Sequence, residues 1–452
     1  MELRNRRVLV IGMARSGISA AIFTKKQGAH VTVYDSKNET VLEESIKELK
    51  KYEIAIQCGK KNIDNLLDFE LMILSPGVPT DLSFIKEAKQ VNIPVIGEVE
   101  LAYQFCKSDI IGITGTNGKT TTTSLVGQIV TSYDSGSQIV GNIGIPFTSQ
   151  LDKLDQGHFA VAELSSFQLE TIKDFRCRVS AVLNISPDHL NRHKTLENYI
   201  EAKKNVFRNQ SNEDICVLNY NDLECRKMAK ESPAKVIFFS YEMELNEGVY
   251  FKDNHIMLST GEMKTEVCRV EDLNILGRHS VENAMAAVAI CFYAGIPINH
   301  IREQLIQFEA VEHRIEYVST INGVRYYNDS KATNPDAAIK GLDAMQWPTV
   351  LIGGGMDKDS DFTDWVNGFE GKVKQLIVFG ETADQIISTA KKIDFSKVIK
   401  VHNLEEAVSK AYMYADKGDC VLLSPACASW DMFNSFEERG DLFKKLVLDL
   451  KG

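Results

Sequence analysis

The sequence predicts an α/β protein of three domains carried on mostly parallel sheets. Three observations lead there. Short apolar runs ending in Gly, Ser or Asp alternate with amphipathic stretches of helical length along the whole chain, the pattern of strands joined by crossover helices. The chain has 452 residues, room for about three domains at roughly 150 residues each. Two glycine-bearing turns, at 12–17 and 112–118, each stand between an apolar run and a helical stretch.

The first block, 1–106, opens with a strand over Arg7–Ile11, a helix over Ser16–Gln27 and a strand over His30–Tyr34. A further strand, Leu71–Ser75, runs into the turn Pro76-Gly77-Val78-Pro79. The first turn reads Gly12-Met13-Ala14-Arg15-Ser16-Gly17, with Ala14 where a dinucleotide-binding fold takes its second glycine, and Asp35 ends the next strand at about the expected distance. The block is therefore expected to be Rossmann-like, although one imperfect match is weak support for NAD. The second block, 107–310, carries strand signals at Asp109–Ile113, Phe159–Leu164, Ser180–Ile185, Ile215–Tyr220 and Lys235–Phe239, and a hairpin over Val249–Leu258 turning at Asp253-Asn254. Val281–Ala294 is an alanine-rich helix closed by Gly295, with Pro297 just beyond. The third block, 311–452, holds strands at Thr349–Ile352, Gln375–Phe379, Val398–Val401 and Cys420–Leu423 between helical stretches, a second Rossmann-like pattern.

Composition narrows the function. Lys and Arg number 51 against 62 Asp and Glu, a net charge of −11, which argues against a nucleic-acid binder needing a basic face. The nine cysteines are scattered and form no Cys-x-x-Cys pair, so a reducing cytoplasm is the expected setting and no cysteine framework is expected. No stretch approaches the ~20 apolar residues of a membrane span. The opening MELRNRRVLVIGMARSG fails as a signal peptide, because its apolar run is short and Arg15 follows at once.

The segment IIGITGTNGKTTTTSLVGQIV is the most informative. Glycines let a backbone curl so that its N–H groups face phosphate oxygens, and a helix N-terminus adds positive potential. Gly115, Thr116, Asn117, Gly118, Lys119, Thr120 and Thr121 are the expected ATP-phosphate contacts, with Lys119 facing the β/γ-phosphates and the Thr120 hydroxyl available to Mg²⁺. The strict Walker pattern misses by one residue, since Ile113 stands five before Gly118 and Gly112 comes one too early.

With Thr114-Gly115-Thr116-Asn117-Gly118-Lys119-Thr120 in that form, the chain resembles the Mur ligase family, which departs from Walker spacing in the same way. Folylpolyglutamate synthases share the fold, but typically carry an extra Gly after the Lys. Ordered motifs extend the resemblance over nearly the whole chain: GNIGIP (141–146), ELSSFQLE (163–170), NISPDHLNRH (184–193), EAKKNVF (201–207), GRHSVENAMAA (277–287), HRIE (313–316), NDSKATNP (328–335) and SPACASWDMFNSFEERG (424–440). NDSKATNP and the last motif look most like the D-glutamate-adding branch.

The resemblance implies an ATP-dependent ligase that phosphorylates the carboxylate of UDP-N-acetylmuramoyl-L-alanine and passes the acyl group to D-glutamate. ATP is a co-substrate and Mg²⁺ the cofactor, with two ions expected. Glu163, His189, Thr120 and Lys203 are the implied Mg²⁺ ligands, Lys203 as an N6-carboxylysine that turns a repelling amine into a carboxylate-like donor; Lys119, His189 and Lys203 are the implied catalytic set. That chemistry requires a neutral amine, hence a depressed pKa, and Lys204 next door leaves the assignment open at this point. Asn142 is implied in holding the UDP-sugar, as are Ala14, Arg15, Ser16 and Asp35 in the first block. Asn283 is implied at adenine, Arg314 at phosphate and Asp329 at ribose, although Ser280 stands where some members carry Asn. Arg314 and Asp329 lie in the third block and the phosphate loop in the second, so ATP would bridge the two and the enzyme would close to react. Lys331, Thr333, Lys358, Ser429 and Phe436 are the implied D-glutamate pocket. The partners are then small molecules, with no nucleic acid and no membrane, and a monomer is expected.

Three other readings compete. Another amino-acid ligase of the Mur or folylpolyglutamate type differs in acceptor and product. An NAD-dependent oxidoreductase on the N-terminal fold leaves the phosphate loop and NDSKATN without a role. A P-loop switch or motor lacks a clear Walker-B carboxylate cluster.

Overall fold

The computed structural model describes residues 1–143, 145–309, 311–357 and 360–450. Its strands fall into three sheets that follow one another along the chain. The first sheet contains β1 (Arg7–Ile11), β2 (His30–Asp35), β3 (Ala55–Cys58), β4 (Leu71–Leu74) and β5 (Val95–Gly97) in the order β3-β2-β1-β4-β5, all parallel. Parallel strands covered by helices on both faces must be apolar on both. Val8, Val10, Val31, Val33, Leu71 and Ile73 face one core, and Leu9, Ile11, Tyr34, Met72 and Leu74 face the other.

The second sheet contains β6 (Asp109–Thr114), β7 (Gln138–Gly141), β8 (Phe159–Glu163), β9 (Val179–Val182), β10 (Ile215–Asn219), β11 (Lys235–Ser240), β12 (Glu247–Lys252), β13 (His255–Thr260) and β14 (Lys264–Arg269). Their order is β14-β13-β12-β11-β10-β9-β6-β8-β7, parallel except for the β12–β13–β14 meander. The expected hairpin turn is there, with Asp253 and Asn254 at φ +47° and +66°, the left-handed pair that matches strand twist.

The third sheet contains β15 (Glu316–Ile321), β16 (Val324–Asn328), β17 (Thr349–Gly354), β18 (Val373–Phe379), β19 (Val398–Lys400) and β20 (Cys420–Leu423) in the order β15-β16-β20-β17-β18-β19. Only the β15–β16 pairing is antiparallel.

The expected strands stand within a few residues of their predicted bounds. Two differences have physical causes. Ser180–Ile185 was expected to be extended throughout, but the strand stops at Val182 because Asn184 and Ser186 turn aside to bond the loop after β6. The expectation left 311–348 without a strand, whereas a hairpin turning at Asn322-Gly323 stands there. The alanine-rich helix begins earlier than expected, at Arg278.

The chain forms two compact units, one of Met1–Val270 with Asn283–Ile306, the other of Glu271–Glu282 with Gln307–Gly452. Within the first, the helix Glu98–Tyr103 bonds the first two sheets together. Glu98 Oε1 accepts from Thr148 N and Oγ1, each at 2.7 Å, and Thr148 Oγ1 lies 2.7 Å from Ser19 Oγ. Glu100 Oε2 accepts three successive backbone N–H groups, from Lys173, Asp174 and Phe175. All nine cysteines are free. Among the described residues no helix is long and apolar enough to cross a membrane.

Candidate active site

β6 lies between β8 and β9, where the strand order reverses and open α/β sheets bind ligands. β6 ends at Thr114 and the helix Lys119–Tyr133 begins directly after Gly118. Gly118 has φ +84°, and a Cβ there would stand 2.3 Å from Asn283 Oδ1, so glycine is required twice over. The back of the loop is held firmly. Thr116 N donates to Asn184 O (2.9 Å), Asn117 N to Asn184 Oδ1 (2.9 Å), and Asn184 Nδ2 returns a bond to Asn117 O (3.0 Å). Thr116 Oγ1 donates to Ser186 O (3.0 Å) and lies 3.1 Å from the Tyr199 hydroxyl.

Two lysines converge on this loop. Lys119 Nζ donates to Gly115 O (2.9 Å) and Thr116 O (2.7 Å), and Lys203 Nζ donates to the same Gly115 O (2.7 Å). Lys203 is 1% exposed and lies 4.7 Å from the Tyr199 ring centroid. Burial, and then the charge of Lys119, hold its pKa well below that of an ordinary lysine, while Asp188 and Glu163 pull the other way. Lys204, its neighbour, points outward and pairs with Glu201 and Glu231. Both lysines end the same helix, Leu196–Lys204, yet only Lys203 reaches the phosphate loop.

Glu163 ends β8 and is 1% exposed. Its Oε1 accepts from Asn142 Nδ2 at 2.7 Å, and Asn142 N donates to Glu163 O at 2.9 Å. Its Oε2 is buried with no hydrogen-bond partner among the described residues, an arrangement costly for a carboxylate unless a cation meets it. His189 sits in the left-handed region at φ +54°, its Nε2 3.6 Å from Asp188 Oδ2 and its ring 4.9 Å from that of Phe167. Thr120 stands half-buried in the first turn of the loop's helix, and Thr121 is buried.

In the first sheet the reversal falls between β1 and β4. Ala14 caps the helix Arg15–Lys26, and Ala14 and Arg15 are exposed while Ser16 is half-buried. A Cβ at Gly17 would stand 1.9 Å from Gly12 O, and one at Gly12 would stand 2.8 Å from Ser75 Cβ, so helix, loop and the 75–79 turn are in close contact. Asp35 Oδ2 accepts from Met13 N (2.9 Å) and Oδ1 from Lys37 N (3.0 Å).

The second unit brings together another group of the expected residues. Asp329 follows β16 and is fully buried. Ser424 Oγ donates to its Oδ2 (2.8 Å), Ile315 N to its Oδ1 (3.4 Å), and Arg314 Nη1 lies 3.7 Å from that oxygen. Burial pushes its pKa up to about 6 against the pull of Arg314. Lys331 Nζ stands 4.9 Å over the Phe436 ring, Ser429 is buried, and Thr333 is half-buried. Lys358 lies outside the described residues. Ser280 Oγ lies 3.3 Å from His279 Nε2.

Sequence reasoning passed over Asn184, Tyr199 and Arg439. Arg439 is fully buried, its guanidinium donating to Ser330 Oγ (2.9 Å) and O (2.8 Å) and to Cys427 O (3.2 Å). A signal for it exists, because Arg439, Phe443 and Val447 recur every fourth residue on the buried stripe of one helix.

A glycine loop at a sheet reversal, two lysines on one carbonyl and a buried carboxylate beside them define the site of a nucleotide-phosphate-binding α/β enzyme. Family models match the Mur ligase MurD-like N-terminal domain over residues 6–97, the Mur ligase middle domain over 113–291, and the Mur ligase glutamate ligase domain over 313–427. The chain is 48% identical to a UDP-N-acetylmuramoylalanine--D-glutamate ligase of Lachnoclostridium phytofermentans and 49% identical to one of Alkaliphilus oremlandii, each over 100% of both chains. Among solved structures, UDP-N-acetylmuramate-alanine ligase MurC from Thermotoga maritima shares the fold at TM-score 0.61 and 18% identity, covering 98% of this chain and 100% of that one. MurF ligase from Thermotoga maritima, in complex with ADP, does so at TM-score 0.60 and 16% identity, over 100% of both. The chain belongs to the Mur ligase family.

Proposed function

We propose that this chain joins D-glutamate to UDP-N-acetylmuramoyl-L-alanine at the expense of ATP, in the synthesis of peptidoglycan precursors. The relatives that match over the full length are named for this reaction. The carrying observation is the meeting of Lys119 and Lys203 on Gly115 O, with the buried Glu163 coupled electrostatically to Lys203.

The reaction has two steps. A carboxylate oxygen of the alanyl group attacks the γ-phosphorus of ATP, and ADP leaves. The D-glutamate nitrogen then attacks the acyl carbon, phosphate leaves with the C–O bonding pair, and the nitrogen loses a proton. Phosphoryl transfer asks mainly for positioning and charge neutralisation. The helix N-terminus, with the loop N–H groups that Asn184 does not already hold, cradles the phosphates, and Lys119 leaves the loop carbonyls to meet the β- and γ-oxygens. Asn142 holds the acceptor substrate. Its amide already grips Glu163, so substrate and carboxylate are held by one side chain. Asn283, Arg314 and Asp329 serve the ATP, and Lys331, Thr333, Lys358, Ser429 and Phe436 the D-glutamate.

A Mg²⁺ site fits these residues. Thr120 offers a hydroxyl, Glu163 an oxygen without a donor, His189 an imidazole and Lys203 a carbamate, formed when its neutral amine attacks the carbon of CO₂ and releases a proton. When bound, the metal supplies Lewis-acid neutralisation of the phosphoryl and carboxylate oxygens. Burial of Lys203 favours the neutral amine, and carbamylation turns a second cation into an anion. Lys119 then stands as the loop's lysine charge toward phosphate.

The test is release of phosphate from ATP with UDP-N-acetylmuramoyl-L-alanine present, comparing D-glutamate with L-glutamate. Release that requires both substrates and prefers the D-isomer is expected. Preference for L-alanine or for a diamino acid as the incoming amine would transfer the chain to another branch of the family.

A further inference from the structure

We propose that Arg192 is a positioning residue that couples the UDP-sugar loop of the first sheet to the His189 loop of the second. This rests on the functional reading above and goes beyond the residues it uses. Arg192 lies on the short helix Leu190–His193, three residues beyond His189. Its side chain is 15% exposed, and its guanidinium N–H groups donate to two separate segments. Nε and Nη2 donate to Glu170 Oε2 at 3.2 and 2.7 Å. Nη2 also donates to Val78 O at 3.0 Å and Nη1 to Gly77 O at 3.4 Å. The guanidinium plane lies 4.3 Å over the Phe167 ring.

Each contact leads to a site already described. Gly77 and Val78 form the turn after β4, and that turn packs on the first loop, since a Cβ at Gly12 would meet Ser75 Cβ at 2.8 Å and Val78 Cγ2 at 3.3 Å. Phe167 contacts the His189 ring at 4.9 Å and stacks on that of His193 at 5.6 Å. Glu170 closes the far side, 3.2 Å from His193 Nδ1, while His193 Nε2 lies 2.9 Å from Ser166 Oγ in the helix that follows Glu163. A ligand that moves the 75–79 turn therefore moves the guanidinium, and with it the packing beneath His189. Two sites joined by one rigid group bias each other reciprocally. A planar fork can satisfy a carboxylate and two carbonyls at once; an ammonium is a point charge and cannot.

The inference predicts that occupancy of the His189 loop by Mg²⁺ tightens binding of UDP-N-acetylmuramoyl-L-alanine, and that Arg192 carries this effect. The readout is calorimetric binding of that compound to the full chain, without ATP, in the absence and presence of Mg²⁺. In the unaltered protein the two dissociation constants are expected to differ by about tenfold, within the usual span of coupling between sites. In Arg192→Lys the ratio is expected to fall to near one, while binding without Mg²⁺ weakens by less than about threefold. Glu170→Gln, which leaves the carbonyl contacts in place, should give an intermediate ratio and guards against misfolding of the first variant. A purely structural role would lower the bound fraction and leave the ratio alone, so an unchanged ratio in both variants overturns the inference with the functional reading intact. Failure of the unaltered protein to bind the UDP compound at all would instead overturn that reading, and the inference with it.

Discussion

The loops after β1 and β6 are built on one plan and equipped for different ligands. Both leave a strand at a reversal of strand order, and both enter a helix at once. Each is closed by glycines that tolerate no Cβ: Gly17 against Gly12 O at 1.9 Å, Gly118 against Asn283 Oδ1 at 2.3 Å. The difference lies beside them. The first loop meets Asp35, whose carboxylate accepts the Met13 N–H, and it has Ala14 where the other has a glycine before the helix. The second meets Lys119 and Lys203 on its own carbonyl. A glycine fingerprint thus states that a backbone can approach a ligand; the side chains converging on it state which ligand. An acid at the first loop suits sugar hydroxyls, and cations at the second suit a triphosphate.

Removing the feature that separates the loops should have the largest effect. Lys119→Ala is expected to lower kcat by about a thousandfold or more, the scale of losing a preorganised charge at the reacting group, with circular dichroism unchanged. The Kd for the UDP substrate should stay within about twofold, because that ligand uses the other loop. If the UDP compound instead ceased to bind, the division of labour between the loops would be wrong.

Lys203→Ala sharpens the same contrast. A loss of about a hundredfold in kcat is expected, with partial recovery on adding a short carboxylate that can stand in for the carbamate. Its pH dependence follows from the direction of the Lys203 shift. Only the neutral amine takes up CO₂, and its pKa is depressed by burial and by Lys119, so the reactive form persists to lower pH than for a free lysine and is lost as pH falls further. Recovery of wild-type protein from acid, followed with and without added bicarbonate, reads this directly. Full activity in Lys203→Ala would remove the carbamate and leave an ordinary buried lysine.

How much of this was visible in the sequence follows from where each signal is local. β1, β6, β8 and β20 are buried on both faces, so their apolar runs announce them. Ala55–Cys58, Val95–Gly97 and Gln138–Gly141 are short outer strands, three or four residues long, and periodicity has little to work on. Lys264–Arg269 is a charged edge. The β15–β16 hairpin was missed, although Asn322-Gly323 is a strong turn signal between apolar runs. The glycine loop and Glu163 follow from motif and strand end. The choice between Lys203 and Lys204 does not, because only helix phase decides which points inward, and that phase is fixed by packing of Tyr199 and Ala202. The helical stripe marks Arg439 as buried, but its bonds to Ser330 and those of Arg192 to the 77–78 turn reach more than a hundred residues along the chain, and no local pattern names those partners.

The smallest predicted effect tests the first loop. Asp35→Asn keeps the shape of the side chain and one carbonyl oxygen; turned to the Met13 N–H, that oxygen keeps the form of the loop, while the exposed Lys37 N–H exchanges its acceptor for water. What is lost besides is the charge on the Met13 bond and on any bond to a sugar hydroxyl. Charge-assisted hydrogen bonds contribute about 1.5–3 kcal/mol against roughly 1 for neutral ones, so the difference corresponds to a rise of about tenfold in KM for UDP-N-acetylmuramoyl-L-alanine. KM for ATP and kcat should stay within about twofold, since uniform binding is removed and the transition state is untouched. If Asp35→Asn lowered kcat and raised KM for ATP instead, the two loops would not be serving separate ligands. Their likeness would then reflect one continuous nucleotide site, and the contrast between acid and lysine would lose its meaning.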